Sequence, residues 1–288
     1  MWVGRPGWQF PGEGKPVRRS LPGVKLAIGL QNACLGGGRK QERWPKLLAR
    51  LRPAAADVLL LCEAPATDAL LQSFASELEM AALPLPPSKS GIPVALLYRP
   101  SLGDPVDVCT DFSSEVTHGV IVAAFDVGLG DPLAVAVTHI SPFSSVHARR
   151  DIELASWSAL RYGPNAVMGL DANQQPPGEM PDLDRMTRID ITRRFCDPLA
   201  DPPRRPRTDV ADVLAADGFH DCAVLLHKMT GDPALLARTG NSGRIDWIVA
   251  TGPVAAAVTG GRRLDAPADA TNHAGLAFTF DTSRVQQS

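Results

Sequence analysis

The sequence predicts an α+β fold in which strands and helices alternate within one domain. Short apolar segments of strand length recur along the chain, and stretches with apolar residues at helical spacing separate several of them. Hydrophobic residues make up 44% of the 288 residues and charged residues 21%, which is typical of a globular protein with a sizeable core. A single domain of this size is common among such folds, so the length does not require two domains.

Charge and cysteine content limit the class of function. The 29 Lys and Arg residues nearly cancel the 31 Asp and Glu residues, which argues against nonspecific binding of duplex nucleic acid over the whole surface. The five cysteines show no zinc-ligand spacing, which favours reduced thiols. Neither a secretory signal nor an apolar segment of membrane-spanning length occurs. We therefore expect a cytoplasmic, monomeric protein with no membrane partner.

The chain is predicted to begin with a tail and then to enter the domain. Residues 1–22 are rich in Gly and Pro and carry four basic residues against one acidic residue, which is typical of a disordered basic tail. The domain is predicted to span residues 23–284, beginning with a strand over 24–30. A helix is predicted over 41–51, and a strand buried on both faces over 57–63.

The remaining elements follow from the same periodicities. The predicted helices cover 67–82, 146–160 and 209–216, and the predicted strands cover 94–98, 120–125, 133–138, 166–170, 245–250 and 274–280. Residues 174–208 contain seven prolines and are predicted to form a long loop with one helical turn. No internal repeat or interdomain linker is visible, so we predict one domain.

Polar side chains stand where the predicted strands begin or end. Strand ends are followed by Asn32, Glu63, His139 and the pair Asp171 and Asn173, whereas Asp246 and His273 stand at strand beginnings. If the last two strands run antiparallel to the other four, all six positions meet at one edge of the sheets. Six separate segments would then build one acidic cleft that contains histidine.

A divalent cation would stabilise such a cleft. Carboxylates that meet at strand ends repel one another and are partly desolvated. The residue set is rich in oxygen and has no cysteine at ligand spacing, which favours Mg²⁺ or Mn²⁺ over zinc. Because Mg²⁺ completes its octahedron with water and substrate phosphate, the pattern predicts hydrolysis of a phosphate ester.

At these positions the sequence resembles the DNase I-like endonuclease/exonuclease/phosphatase superfamily. The motifs appear in order as Leu30-Gln31-Asn32, Leu61-Cys62-Glu63, Thr138-His139-Ile140, Gly169-Leu170-Asp171-Ala172-Asn173, Arg244-Ile245-Asp246-Trp247 and Thr271-Asn272-His273. Each motif is short, but six in this order cover residues 24–282. The resemblance implies a four-layer α/β/β/α sandwich of two mixed sheets that hydrolyses phosphodiesters or phosphomonoesters with Mg²⁺.

On the metal side, the resemblance implies that Glu63 is the principal ligand and that Asn32 lies beside it. The family has Asp before its final His, whereas this chain has Asn272. An amide keeps an oxygen for the metal but loses the charge, so we expect weaker metal affinity or a single-metal site. Asp265 and Asp269 stand shortly upstream as candidates for the missing charge.

On the substrate side, the resemblance implies that Asp171 orients or deprotonates the attacking water. Asn173 would hold a phosphate oxygen, and His139 would contact the phosphate from the other side. His273, oriented by Asp246, would stabilise the phosphorane or act as an acid or base, since a carboxylate fixes the tautomer of a histidine and raises its pKa.

Four arginines are candidate substrate-binding residues, namely Arg149, Arg188, Arg193 and Arg194. Arginine binds phosphate through paired N–H groups, so the arginines of the long loop could form a basic lip. Acidic residues are interleaved with them and nearly cancel their charge. A solvated loop is therefore an equally supported interpretation of that segment.

Each site residue also has an ordinary structural interpretation when it is taken alone. Glu63 could cap a helix, Asp171 and Asn173 could form a turn, and each histidine could be a core residue. The recurrence of such residues at six strand ends favours a shared site instead.

The predicted function is that of a divalent-metal-dependent phosphoester hydrolase, a phosphodiesterase or nuclease-like enzyme, with nucleic acid as one candidate among its phosphate-ester substrates. Two alternatives stay open because Asn272 replaces the family's Asp. One is a catalytically impaired binding or scaffold protein on the same fold. The other is an enzyme recruited to a specialised small molecule.

Overall fold

A computed structural model describes residues 23–34, 41–265 and 270–285. The predicted tail, residues 1–22, lies outside the described residues, as does Asp269. The predicted domain boundaries therefore stay predictions. Within the described ranges, no helix is both long and apolar enough to cross a membrane.

Two six-stranded sheets lie at the centre of the described chain. The first sheet contains β1 (Lys25–Asn32), β2 (Val58–Cys62), β3 (Ala81–Ala82), β4 (Ala95–Tyr98), β11 (Val258–Leu264) and β12 (Gly275–Asp281), in the order β11-β12-β1-β2-β4-β3. The second contains β5 (Asp107–Cys109), β6 (Val120–Phe125), β7 (Leu133–His139), β8 (Ala166–Asp171), β9 (Phe219–Asp221) and β10 (Asp246–Thr251), in the order β5-β6-β7-β8-β10-β9. Both sheets are mixed.

Helices complete the outer layers. They are α1 (Trp44–Leu51), α2 (Asp68–Ser76), α3 (Ser145–Leu160), α4 (Arg188–Arg194), α5 (Asp209–Ala216), α6 (Cys222–Thr230) and α7 (Gly252–Ala255). One apolar cluster joins the facing sides of the two sheets. A second packs α3 and α5 on the outer side of the second sheet, and a third packs α1 and α2 on the outer side of the first. This arrangement gives the expected α/β/β/α sandwich.

Strand directions bring the polar strand ends to one edge. β1 runs parallel to β2 and antiparallel to β12, whereas β7 runs parallel to β8, which is antiparallel to β10. His139 and Asp246 therefore lie on either side of Asp171 in register across three neighbouring strands. The antiparallel arrangement expected for the last two strands is present.

The predicted helix over 67–82 is too long. Helix α2 ends at Ser76, because Glu79 adopts a left-handed conformation with φ of 56°. The residues that follow form the edge strand β3, which pairs with β4. Helix propensity alone predicts a helix through residue 82, but pairing with the sheet overrides it.

Other elements are missing from the sequence prediction. The edge strands β5, β9 and β11 are short or rich in Gly and Arg, and helix α6 carries a weak apolar stripe. Asp221 caps α6 by accepting hydrogen bonds from the N–H groups of Ala223 and Val224 at 2.9 and 3.3 Å. The predicted loop 174–208 also contains α4, which begins with a capping box formed by Thr187 and Asp190.

The two sheets approach closely beneath the strand ends. A Cβ atom added at Gly169 would lie 2.6 Å from the Cδ1 atom of Leu60 and 3.2 Å from that of Leu30. Glycine at this position on β8 therefore allows the layers to meet.

We predict that Gly169→Ala destabilises the protein by about 1–3 kcal/mol, because a methyl group would overpack the core between the sheets. Chemical denaturation would measure the free energy of unfolding. Gly130→Ala is the matched control, since a Cβ there meets no atom within 4 Å. Equal stability of the two variants would contradict the close packing described above.

Candidate active site

A cavity of about 310 Å³ opens at the edge where the strand ends meet. Among the sequence-predicted residues, it is lined by Glu63, His139, Asp171, Asn173, Asn272, His273 and Arg194. Asn32 and Asp246 are buried beside this lining, with 0% and 1% exposure. The structure thus brings together all six strand-end positions.

His273 and two buried carboxylates form the most strongly charged part of the site. Its Nδ1 atom lies 2.8 Å from Oδ2 of Asp246 and 3.9 Å from Oδ2 of Asp171. Burial lowers the pKa of His273, but attraction to Asp246, the hydrogen bond with it and attraction to Asp171 outweigh burial and raise the pKa to about 10. His273 is therefore a cation at neutral pH, and its Nε2 atom is the ring nitrogen left for a ligand.

Backbone contacts hold this pair in place. The hydroxyl of Thr239 accepts hydrogen bonds from the N–H groups of Ile245 and Asp246 at 3.0 and 2.9 Å. Thr271 Oγ1 accepts from the N–H of His273 at 3.1 Å and donates to the carbonyl of Asn32 at 2.9 Å. These contacts fix the segment before β12 against the end of β1.

Asp171 is an ionised carboxylate despite its burial. Burial raises its pKa, but attraction to His139 and His273 and hydrogen bonds from Asn173 and Asn32 outweigh burial and lower it. The backbone N–H of Asn173 donates to Oδ1 at 3.0 Å, and the side-chain amide of Asn32 donates to Oδ2 at 2.9 Å. A lowered pKa makes Asp171 a weak base, which favours orientation of a water over its deprotonation.

The side-chain nitrogen of Asn32 points toward the carboxylates of Glu63 and Asp171. Its Oδ1 atom accepts from the N–H of Cys34 at 2.8 Å, while Nδ2 lies 3.4 Å from Glu63 Oε1. The predicted role of Asn32 as a metal ligand requires an oxygen in that direction. In this geometry Asn32 instead stabilises two negative charges by donating to them.

Asn173 is held by contacts within the protein, and its predicted role at a phosphate oxygen stays a prediction. Its Nδ2 atom lies 3.0 Å from His139 Nε2 and donates to the carbonyl of Ile140 at 2.9 Å, and its Oδ1 atom accepts from Arg194 at 3.2 Å. Both amide hydrogens are thus engaged, so a phosphate oxygen would have to displace one of these contacts. The structure makes Asn173 a residue that orients His139 and Arg194.

His118, which the sequence analysis missed, lies beside His139. The two rings stack with centroids 4.1 Å apart and planes 15° from parallel. Burial and the neighbouring His139 lower the pKa of His118 to about 4, and burial also lowers the pKa of His139. Since β6 pairs antiparallel with β7, the beginning of β6 must share the edge where β7 ends. The expectation that polar residues at strand beginnings and ends meet at one edge could therefore have identified His118.

A carboxylate on α3 positions both stacked histidines. Asp151, which is 2% exposed, accepts from the N–H of Thr117 at 3.2 Å and from that of Ser141 at 3.0 Å. Thr117 precedes His118, and Ser141 follows His139 by two residues. Nothing in the local sequence distinguishes Asp151 from an exposed helical acid, so this contact was not predictable.

The four candidate arginines do not share one location. Arg194 lines the cavity, and the guanidinium of Arg193 lies 5.5 Å from the ring centroid of Phe143, another lining residue. Arg149 instead pairs with Glu153 at 2.8 Å on the exposed face of α3, and Arg188 is exposed and does not line the cavity. Arg149 and Arg188 thus lie outside the cavity lining, and their predicted role in substrate binding stays a prediction.

The lining suits a hard cation. Glu63, with φ of 53°, turns out of β2 into the cavity, and the exposed Asn272 offers an amide oxygen to the same space. One carboxylate and one amide, with room for water and phosphate, match the ligands that Mg²⁺ and Mn²⁺ prefer. Asp265 forms an ion pair with Arg263 and does not line the cavity, so it does not supply the charge that Asn272 lacks.

No family model and no curated protein matches the sequence. Solved structures do match it. An AP endonuclease from Archaeoglobus fulgidus has a TM-score of 0.62 at 17% identity, covering 89% of this chain and 99% of that chain. D. rerio TDP2 complexed with a single-strand DNA product gives 0.60 at 15%, covering 90% and 99%. An endonuclease/exonuclease/phosphatase from Bacteroides vulgatus gives 0.62 at 12%, covering 90% and 99%. These likenesses confirm the expected fold.

We predict that His273 stays protonated through pH 8 in metal-free buffer and that Asp246→Asn lowers its pKa, because the strongest attraction is removed. Long-range ¹⁵N NMR of the ring would measure both effects. The folded pKa of His273, about 10, exceeds the reference value of 6.5, so the stabilisation that His273 contributes is fully present below about pH 6.5 and lost as the pH rises through 10, whereas burial raises the pKa of Asp246. An unchanged pKa in Asp246→Asn would contradict this interpretation, and Asp126→Asn on an exposed turn is the control.

Proposed function

We propose that this chain, which has the DNase I-like fold of the endonuclease/exonuclease/phosphatase superfamily, is a divalent-metal-dependent phosphodiesterase of the nuclease-like type. One observation carries the proposal. The protonated His273, the ionised Asp171 and the oxygen donors Glu63 and Asn272 all line the same cavity. Such a site offers a cation for developing negative charge, an acceptor for water and ligands for a metal.

Glu63 and Asn272 would hold the Mg²⁺ or Mn²⁺ ion. When bound, the ion would supply Lewis-acid polarisation of a phosphoryl oxygen and offset the local negative charge. Asn32 supports this arrangement from behind, since its amide hydrogens are directed to Glu63 and Asp171. Asn32 is thus a supporting residue in this proposal, and Glu63 and Asn272 are the direct ligands.

Asp171 would accept a hydrogen bond from the attacking water and fix its direction. Two hydrogen bonds and the neighbouring His273 keep the carboxylate charged, so it remains an acceptor at neutral pH. Holding a reactant in line contributes to catalysis even without proton abstraction, because it removes the entropic cost of orientation.

His273 would stabilise the charge that develops on the phosphorane oxygens. Asp246 holds Nδ1 and thereby keeps the ring both oriented and cationic. His139 is buried, which lowers its pKa, and Asn173 contacts its Nε2 atom at 3.0 Å. We propose that His139 forms the wall on the opposite side of the phosphate, where its burial excludes water from the site.

Phe143, at the exposed part of the cavity lining, and Arg193 beside it favour a substrate with an aromatic group near the phosphate. Phe143 is 54% exposed although it lines the cavity, and Arg193 lies over its ring. Exposed aromatic rings beside arginine are platforms on which nucleobases stack. This favours nucleotide or single-stranded nucleic acid substrates, with Arg194 as a phosphate contact.

Hydrolysis of bis-p-nitrophenyl phosphate and of short oligonucleotides is expected with Mg²⁺ or Mn²⁺ and not with EDTA. We predict that Glu63→Gln and His273→Gln each lower kcat/KM at least about 100-fold, because each removes charge that acts on the transition state. Initial rates at saturating metal would measure the effect.

Glu77→Gln and His220→Gln are matched controls, since both positions are exposed and lie outside the cavity. Activity that survives in Glu63→Gln and His273→Gln would refute the site assignment. Metal binding without hydrolysis of any substrate would favour the scaffold alternative, and hydrolysis confined to phosphorylated small molecules would favour the recruited enzyme.

Asn272 provides a separate test of the metal assignment. We predict that Asn272→Asp raises the affinity for Mn²⁺ about tenfold, because a carboxylate replaces a neutral amide beside Glu63. Isothermal titration calorimetry would measure the dissociation constant, and Asn241→Asp at another lining position of the same cavity is the control. An unchanged affinity in Asn272→Asp would exclude residue 272 from the metal site.

A further inference from the structure

The strongest feature that the proposed mechanism does not use is the ring of His118. The residue is 3% exposed and lines the cavity. Its Nε2 atom is buried and has no hydrogen-bond partner among the residues that the structure describes. Buried polar atoms in native proteins nearly always have partners, so an unpaired nitrogen that borders a cavity indicates a ligand.

The ring of His118 is held firmly on its other sides. Nδ1 lies 2.7 Å from the hydroxyl of Ser90, one face stacks on His139, and Asp151 fixes the preceding residue Thr117 through its N–H. A ring restrained at three points presents Nε2 in a single direction. Such pre-organisation is typical of a residue that binds a ligand.

Ser90 determines which ring nitrogen carries the hydrogen. Its Oγ atom accepts from the N–H of Ile92 at 3.1 Å, so its own hydrogen is available for donation. The shortest contact of this hydroxyl is the one with His118 Nδ1, compared with 3.1 Å to Ser88 Oγ and 3.5 Å to the carbonyl of Ile92. If Ser90 donates to Nδ1, the hydrogen of the neutral ring stands on Nε2.

The position of His118 complements that of His273. Four side chains form a row across the edge of the second sheet. Asp171 Oδ2 lies 3.9 Å from His273 Nδ1 on one side and 3.6 Å from His139 Nε2 on the other. His139 in turn stacks on His118. The row therefore has a cation at one end and a neutral N–H donor at the other. Among the described residues, Asp171, Asp246 and His273 lie close enough together to share an ion, but His273 is paired with Asp246 here, and His118 lies outside this group.

We propose that Nε2–H of His118 donates a hydrogen bond to a non-bridging phosphate oxygen of the substrate, which makes His118 a further substrate-binding residue. The inference rests on the proposed function, because that function identifies the anion in the cavity. It assigns phosphate binding to His118 rather than to Asn173, whose amide hydrogens are engaged within the protein.

Two substitutions separate this role from packing. His118→Phe keeps an aromatic ring to stack on His139 but removes the donor, whereas His118→Gln keeps an N–H donor but loses the ring. We expect His118→Phe to weaken inhibition by inorganic phosphate and to raise KM for bis-p-nitrophenyl phosphate by about 10- to 100-fold, as expected for one hydrogen bond to a charged group. His118→Gln should recover most of that loss.

The opposite ranking of the two variants would show that the ring matters only for packing and would overturn the proposal. NMR of the unmodified protein gives a second readout, since long-range ¹⁵N correlations identify the protonated nitrogen. A hydrogen on Nε2 whose signal shifts when phosphate is added supports the proposal. A hydrogen on Nδ1, or no response to phosphate, overturns it.

The outcomes also distinguish this inference from the proposed function. If the protein hydrolyses phosphodiesters but His118→Phe binds phosphate as well as the unmodified protein does, only the role of His118 fails. If no hydrolysis occurs but phosphate binds and His118→Phe weakens that binding about tenfold or more, the role of His118 stands and catalysis fails. Absence of both hydrolysis and phosphate binding refutes both.

Discussion

The structure depends on the burial of two carboxylates, Asp171 and Asp246, at the ends of neighbouring antiparallel strands. Each is at most 2% exposed, and an unpaired buried charge costs several kcal/mol. The surrounding polar groups compensate that cost: Asn32 and the N–H of Asn173 donate to Asp171, and the cationic His273 lies against Asp246. The charge pattern that suits catalysis is thus also the pattern that makes this edge of the sandwich stable.

The sequence was sufficient for the parts of the fold and site that depend on strand polarity. Apolar runs ending in Asn32, Glu63, His139 and Asp171 located both the strands and the edge at which they meet. The four-layer arrangement was what the resemblance to the superfamily implied. These features were predictable because the direction of a strand determines at which edge of the sheet its last residue lies.

Side-chain direction and contacts between distant segments were not predictable. Which atom of Asn32 faces the carboxylates depends on the N–H of Cys34, and the restraint of Thr117 by Asp151 spans 34 residues. The spacing of apolar residues also cannot show where a helix ends because the next residues pair with a sheet. This is the case after Ser76, where α2 ends and the chain continues into β3. His118 is an intermediate case. It stands just before β6, as other site residues stand at the ends of their strands, but a single histidine before a strand is not a recognisable motif.

The attachment of the long loop after β8 has a consequence for the diversification of this scaffold. Glu179 pairs with the buried Arg244 at 2.7 Å, and the N–H of Asp182 donates to the carbonyl of Ser242 at 2.7 Å, so the base of the loop is bound to the segment that carries Asp246. The residues beyond this attachment, including α4 with Arg193 and Arg194, form a module that evolution or engineering could exchange. New modules would change which molecules reach the cavity, while the buried charged residues beneath it stay the same.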